Sequence, residues 1–589
     1  MADPLAPRAG GRQGRFAHPL ILLAAGAAVF LGTISAPPSL MDDVDAVNAQ
    51  IARNMLESGD WVSARINGVL YLEKSPLGYW LMAAGYAVFG VEDWVARLPN
   101  ALGAIVLMWV TMALGRRGFG AQAGFYAGLA VGTSVGLYLF TRIVIPDVLL
   151  TLTVTVALYC FWRAAEEGDR RWGPGFWAAI GVGMLLKGLL AAVAPVAIAG
   201  LYLLACPERR RRLGCLRPLI GIPLAAAIYL PWVVLASIQN PPVFDLTLRS
   251  DPGVWRGFFW FYFINEHVLR FLGLRFPQDY NTVPRIPFLL LHLVWLFPWS
   301  AFLPAAFRVP GRPMRRLAAL WILFLLAFLS LSTTQEYYSM PCYPAFALLA
   351  GLALAEGPRR WLSAGYGALA GMGALAVAAA GAILYLVRGV EAAGDISSAL
   401  SRNPEAYTLS LGHMKDLTLG SFAYLRGPLA LAGAALAAGT VSAWLTRRGV
   451  AAPLCLAAMM VLVVQAAHRA MAVFDPYLSS RPLAEAILRA PQGRLILEGH
   501  YYPASSVAFY TNRPALLLNG KQDNLIYGSA APGVPAVFLE DQDLARSWKG
   551  TERIHLVAPA SSRPRLESLL ETVHVLGNRG GKVALSNLP

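Results

Sequence analysis

Long apolar runs recur along most of this chain, separated by short arginine-bearing loops, and they constrain its fold more than any other feature. A helix needs about 20 apolar residues to cross a bilayer. Runs of that kind begin near Pro19, Val95, Gly120, Asp147, Gly173, Leu189, Pro218, Ile286, Leu317, Pro341, Leu362, Gly427 and Val450. They predict about thirteen spans, with a margin of about two because runs broken by proline and glycine divide in more than one way. Backbone polar groups in a bilayer must be satisfied within the segment, so the expected fold class is mostly α, a polytopic helical membrane protein. The composition agrees: 57% of the 589 residues are hydrophobic and 14% charged, far below the roughly 25% charged residues of soluble domains.

The net charge of +15 would point to nucleic acid in a soluble chain. Here the arginines fall in alternate short loops: Arg116-Arg117, Arg163 with Arg170-Arg171, residues 209–212, Arg312 with Arg315-Arg316, Arg359-Arg360 and Arg447-Arg448. The positive-inside rule puts those loops in the cytoplasm. The basic excess therefore reports topology, and no nucleic-acid partner is expected. Arg8, Arg12 and Arg15 precede the run at residues 19–36, which reads as a retained first span with a cytoplasmic N-terminus. The five cysteines have no metal-ligand spacing and no disulfide framework.

An odd number of spans places the C-terminus on the opposite, outer face. From about Pro476 the composition changes. Residues 494–498, 515–519, 536–540 and 554–558 read as short strands, with a helical stretch over 563–572. That alternation predicts a small α/β domain over 476–589, following a membrane domain over 1–475.

The outer loops carry the chemistry. In the first, residues 38–94, Val44, Val47, Ile51 and Met55 form one apolar stripe of a helix too short to span, which is expected to lie along the interface. Asp42, Asp43 and Asp45 sit at its start. One aspartate suffices to cap a helix; three leave a surplus. Glu73-Lys74 opens a semi-apolar stretch, where a lysine can hold a phosphate or reach the headgroups. Asp147 follows Pro146 at the head of an apolar run, a sound helix start and also a site candidate. Lys187 is the one charge in residues 181–205. Further along, Glu266, His267 and Arg270 follow a dense aromatic group, with His267 and Arg270 one helical turn apart. Tyr337 and Tyr338 stand at another outer span end. Acids suit a general base, and cations suit a phosphate leaving group. No Walker P-loop or HExxH motif is present.

The stretches "DDVDAVNAQIARNMLESGDW", "NGVLYLEKSPLGYWL", "FGVEDWVARLPNALGAI", "IPDVLLT", "LLKGLLAAVAP", "FINEHVLRFLG" and "YYSMPCYPAFALLAG" run in this order across residues 40–355. The sequence there resembles the lipid-carrier-dependent glycosyltransferases of the GT-C fold, notably the bacterial aminoarabinose (lipid A) transferases and more distantly the protein O-mannosyltransferases. The resemblance implies an inner-membrane enzyme that moves a sugar from undecaprenyl phosphate to a lipid A-like or other envelope acceptor on the periplasmic face, with inversion. It implies Asp43 or Asp45 as the base, assisted by Asp147. It implies Lys74, Arg270, Lys187, Tyr337 and Tyr338 around the carrier phosphate. Glu73 and His267 match positions where a divalent metal has been suggested, although catalysis in the group is not generally metal-dependent and no cofactor is required. The family pattern Asp-Glu followed by Arg-Tyr is replaced here by Asp43-Val44-Asp45 and then Ala46-Val47-Asn48. Two alternatives stand beside this reading: a lipid or sugar flippase or transporter, and an oligosaccharide ligase or polymerase on the same fold.

Overall fold

A computed structural model describes residues 12–277, 283–332, 334–401, 412–522 and 525–589. Arg8, and parts of the expected outer loops 239–284, 332–340 and 389–426, lie outside the described residues.

Each of the predicted apolar runs is a helix or a broken helix. Eight helices are long and apolar enough to cross a membrane, among them Asp93–Phe119, Asp147–Ala165, Pro218–Gln239 and Ala451–Leu478. Two further spans are bent pairs: Ala121–Gly132 with Val135–Arg142, turning by 46°, and Arg285–Trp295 with Trp299–Ala306, turning by 93°. Ala17–Leu31, Gly173–Lys187 and Leu190–Ala205 are shorter. Small residues let the helices approach closely. A methyl group at Gly124 would collide with the backbone of Arg116 and Met112 in the preceding helix. The five cysteines are free.

The first outer loop departs from expectation. Its helix, Val44–Ser58, does form, after which a small hairpin pairs β1 (Arg65–Ile66) with β2 (Val69–Leu70). The stripe of Val47, Ile51 and Met55 is not left for lipid, however. It is buried with Tyr79, Val95, Tyr502, Val507 and Phe509 in one cluster. Protein from both sides covers the apolar face, which removes the driving force for lying in the headgroups.

The expected α/β unit is present and larger than predicted. Its six-stranded sheet has the order β5-β4-β3-β6-β8-β7. The strands are β3 (Arg494–Glu498), β4 (Ala515–Leu518), β5 (Phe538–Leu539), β6 (Ile554–Pro559), β7 (His574–Arg579) and β8 (Lys582–Ser586). The first four are parallel; β7 and β8 form an antiparallel edge hairpin. Side chains alternate across a strand. Ile496, Leu518, Leu556 and Leu585 therefore pack on Leu544, Trp548 and Leu566, while Leu495, Leu497, Leu517 and Val557 face Leu483, Val507 and the Val44–Ser58 helix. This second face seats the sheet on one end of the helix bundle.

Candidate active site

The three aspartates of the first outer loop have different surroundings. Asp42 is fully engaged. Its Oδ1 accepts from the Ser506 N–H (2.9 Å) and Oγ (2.7 Å), and its Oδ2 from Ser480 Oγ (2.6 Å) and Lys582 Nζ (2.5 Å). Asp45 is buried, and its Oδ1 accepts from the Val144 N–H at 2.8 Å. Burial pushes its carboxyl up, opposed by the Arg97 and Arg142 guanidiniums and that N–H. Asp43 alone has no hydrogen bond to its side chain among the described residues, and its Oδ1 is enclosed. It precedes the helix without capping it, at φ 74° and ψ −130°. Such backbone is nearly reserved for glycine and costs about 1–3 kcal/mol elsewhere. Burial raises the Asp43 carboxyl to about 7; Asp45, Asp42 and Glu73 add repulsion, and Lys74 opposes it.

Lys74 has no hydrogen bond or ion pair among the described residues. It lines a small pocket with Asn48, Tyr79, Met82, Val144 and Pro146. Its charge reaches Asp43, Glu73 and Lys187.

Asp147 opens its helix after Pro146, buried, and pairs with Lys187 at 2.5 Å. The Lys187 ammonium lies over the rings of Tyr337 (5.1 Å) and Tyr338 (4.7 Å), cation–π geometry. Gly188 turns the chain at φ +68°, and a Cβ there would collide with His267 Nε2. Arg270 reaches Glu266 (3.0 Å) and donates to the Tyr338 hydroxyl (3.0 Å).

Two expectations change. The segment from Trp260 to Leu269 is a π-helix, and Arg270 forms an ion pair with Glu266, while it acts on His267 through its charge. The metal roles drawn for Glu73 and His267 also find no counterpart. His267 Nδ1 bonds the Tyr262 carbonyl (2.5 Å) and its Nε2 accepts the Leu189 N–H (3.2 Å), pinning the turn after Lys187. Glu73 faces Arg275 at 3.8 Å. Among the described residues no group of three or more His, Cys, Asp and Glu side chains is placed to hold a metal.

Sequence reasoning missed Arg275, which is buried and binds Glu266 at 2.6 Å. It also missed Asn48, whose amide holds the Val144 carbonyl at 2.7 Å, and the C-terminal residues Tyr502, Ser505 and Lys582 at Asp42 and Asp43. No local pattern marks any of them.

The architecture, with acids and cations gathered beneath a capping sheet at one end of a helix bundle, is the GT-C fold. The crystal structure of ArnT from Cupriavidus metallidurans bound to undecaprenyl phosphate matches with a TM-score of 0.77 at 24% identity, covering 98% of this chain and 99% of that one. The Archaeoglobus fulgidus oligosaccharyltransferase matches more loosely, with a TM-score of 0.50 at 12% identity over 94% of this chain and 70% of that one. The family described as dolichyl-phosphate-mannose-protein mannosyltransferase matches residues 73–235. In sequence the chain is 33% identical over 357 residues to an undecaprenyl phosphate-alpha-4-amino-4-deoxy-L-arabinose arabinosyl transferase of Pseudomonas fluorescens, covering 58% of this chain and 57% of the relative. A Pseudomonas aeruginosa transferase of the same name is 33% identical over 325 residues, 52% of this chain and 54% of the relative. The chain thus spans little more than half the length of the curated relatives it matches.

Proposed function

We propose that this protein is a multi-pass inner-membrane glycosyltransferase that transfers a sugar, 4-amino-4-deoxy-L-arabinose or a relative of it, from undecaprenyl phosphate to lipid A or a similar envelope acceptor. The observation that carries this reading is an unbonded carboxylate, Asp43, within electrostatic reach of Lys74, a cation without an ion-pair partner among the described residues that lines a pocket. The arginine-rich loops face the cytoplasm, and residues 476–589 form a periplasmic domain over the site. The names of the curated relatives support the donor.

Asp43, rather than Asp45, is the base. Asp45 is tied to the Val144 N–H and lies in the field of Arg97 and Arg142, where it fixes the loop leading to Asp147. Asp43 takes the proton from the acceptor hydroxyl or phosphate. The acceptor oxygen then attacks the sugar C1 from the face opposite the carrier, the C1–O bond to phosphate breaks, and configuration inverts. The departing phosphate gains charge, which Lys74 and Arg270 stabilise. Asp147 acts as counter-ion, holding Lys187 beside Tyr337 and Tyr338 at the phosphate. A carboxyl near 7 suits this work, since general catalysis is most effective with a pKa close to the operating pH.

The test is transfer from undecaprenyl phosphate-linked 4-amino-4-deoxy-L-arabinose to lipid A by purified protein in nanodiscs, followed by mass spectrometry. Modified lipid A with stoichiometric release of undecaprenyl phosphate, lost in Asp43→Asn, is expected. Carrier binding without transfer across a panel of carrier-linked sugars would instead favour a transporter.

A further inference from the structure

We infer that the C-terminal α/β unit is an integral part of the active site: Tyr502 and Ser505 hold the backbone of Asp43 in the conformation that presents its carboxylate, and Lys582 balances the adjacent Asp42. This rests on Asp43 being the base.

The strained backbone at Asp43 persists only where its surroundings over-determine it. Those surroundings come from the far end of the sequence. The Asp43 N–H is shared between the Tyr502 carbonyl at 2.8 Å and Ser505 Oγ at 3.1 Å. The Ser505 hydroxyl lies 3.3 Å from the Asp43 carbonyl and 2.8 Å from that of Tyr502, so its one proton goes to either while its lone pair takes the Asp43 N–H. The neighbouring residue is fastened the same way: the Asp42 N–H donates to the Leu478 carbonyl at 2.9 Å, and its carboxylate is filled by Ser480, Ser506 and Lys582. The Tyr502 hydroxyl also meets that of Tyr71 at 2.8 Å, two residues before Glu73 and three before Lys74. The C-terminal unit thus holds both the Asp42-Asp43 segment and the Tyr71 segment that leads to Lys74.

The charged groups acting on Asp43 are Asp42, Asp45, Glu73 and Lys74. Lys582 sits against Asp42. Without it, the Asp42 charge stands unbalanced one residue from the base, and like charge disfavours ionisation of Asp43. Loss of Lys582 should therefore move the acid limb of the rate profile upward, and loss of Ser505 should let the carboxylate drift from its working position. Neither change touches the carrier.

The experiment compares full-length Ser505→Ala, Ser505→Thr, Lys582→Met and Lys582→Arg in nanodiscs, with Asp43→Asn alongside. Ser505→Ala should lower kcat about ten- to a hundredfold, the effect of a small misplacement of a reacting group, while KM for the carrier-linked sugar stays within about twofold. Ser505→Thr should restore most of the rate. Lys582→Met should raise the midpoint of the acid limb, and Lys582→Arg should return it. Undecaprenyl phosphate binding, read by tryptophan fluorescence, should be unchanged in all four. Wild-type kcat and pH profile in both Ser505→Ala and Lys582→Met overturn the inference. So does a fall in kcat that only tracks lost carrier binding and folded fraction, with no shift of the acid limb in Lys582→Met. If Asp43→Asn itself remains active, the base assignment fails instead.

Discussion

Two groups of partly buried charge meet at the same end of the bundle, and they differ in how completely they are paired. In one, Arg275 lies between Glu266 and Glu73, Arg270 returns to Glu266, and Asp147 holds Lys187. In the other, Asp43 and Lys74 sense each other's charge, yet neither has a hydrogen-bonded partner among the described residues. Paired ions in a low-dielectric site tolerate burial, whereas unpaired ones are costly and persist where chemistry needs them. In the proposed mechanism the first group is scaffold that aims cations at a phosphate, and the second is left open for substrate.

Removing the open carboxylate should break the contrast most strongly. Asp43→Asn should lower kcat by about 10²–10⁴-fold, the usual range for a general base, with undecaprenyl phosphate binding retained. The wild-type rate should also fall below a midpoint near 7, because the base must be ionised and burial holds its carboxyl at about 7. The same shift has a stability sign. The folded state keeps this proton above the ordinary carboxylate range, so stability contributed by the group declines as pH rises from about 4 towards 7. Asp43→Asn should remove that decline, as melting curves across the range would reveal. An acid limb unchanged in an active Asp43→Asn protein would assign the base elsewhere.

The scaffold group should respond in stability. Arg275→Met takes the arginine from Glu73 and leaves Glu266 with Arg270 alone, and breaking one partner from a buried pair costs about 3–5 kcal/mol. A large fall in melting temperature is expected, partly recovered in Arg275→Met combined with Glu266→Gln. A variant with normal melting but lost turnover would move Arg275 into the reactive group.

The sequence made the spans legible because hydropathy is additive and local: each apolar run became a helix or a bent pair. The bends were not legible. The 93° break between Trp295 and Trp299 falls at Pro298, which ends a helix without saying how far the chain turns. Of the sheet, four strands could be read from their apolar runs, but β7 and β8 could not, since His574–Arg579 is half polar and only Gly580-Gly581 signals the turn. The site divided similarly. Surplus charge pointed to Asp43, Asp45, Lys74, Asp147 and Lys187. Choosing between the aspartates needed the Val144 N–H, which takes Asp45, and Lys582, which reaches Asp42 from 540 positions away. Pairing is a tertiary property, so sequence could find the charges without showing which were already satisfied.

Lys74 tests the open group from the other side. Lys74→Met should lower kcat/KM for the carrier-linked sugar by about tenfold or more, since a hydrogen bond to a charged group contributes roughly 1.5–3 kcal/mol. It should also raise the midpoint of the acid limb, because Lys74 is the cation that opposes the upward shift of Asp43. Both effects in one variant would tie base and phosphate cation to one site; a loss of rate with an unmoved acid limb would separate them.

The smallest effect belongs to the seam between the two groups, at Tyr338. Its hydroxyl accepts from Arg270, and its ring lies under Lys187. Tyr338→Phe removes only the first contact. Arg270 keeps Glu266, so the rate should fall by just a few-fold, consistent with about 1 kcal/mol for one hydrogen bond. Tyr338→Ala also removes the ring, with a further loss in the range of a partly desolvated cation–π contact, about 1–2 kcal/mol. KM for the carrier should rise more than kcat falls, because both contacts aim cations at the phosphate and neither moves a proton. An equal fall in kcat for the two variants would mean that the ring does not position Lys187, and that Asp147 alone holds it.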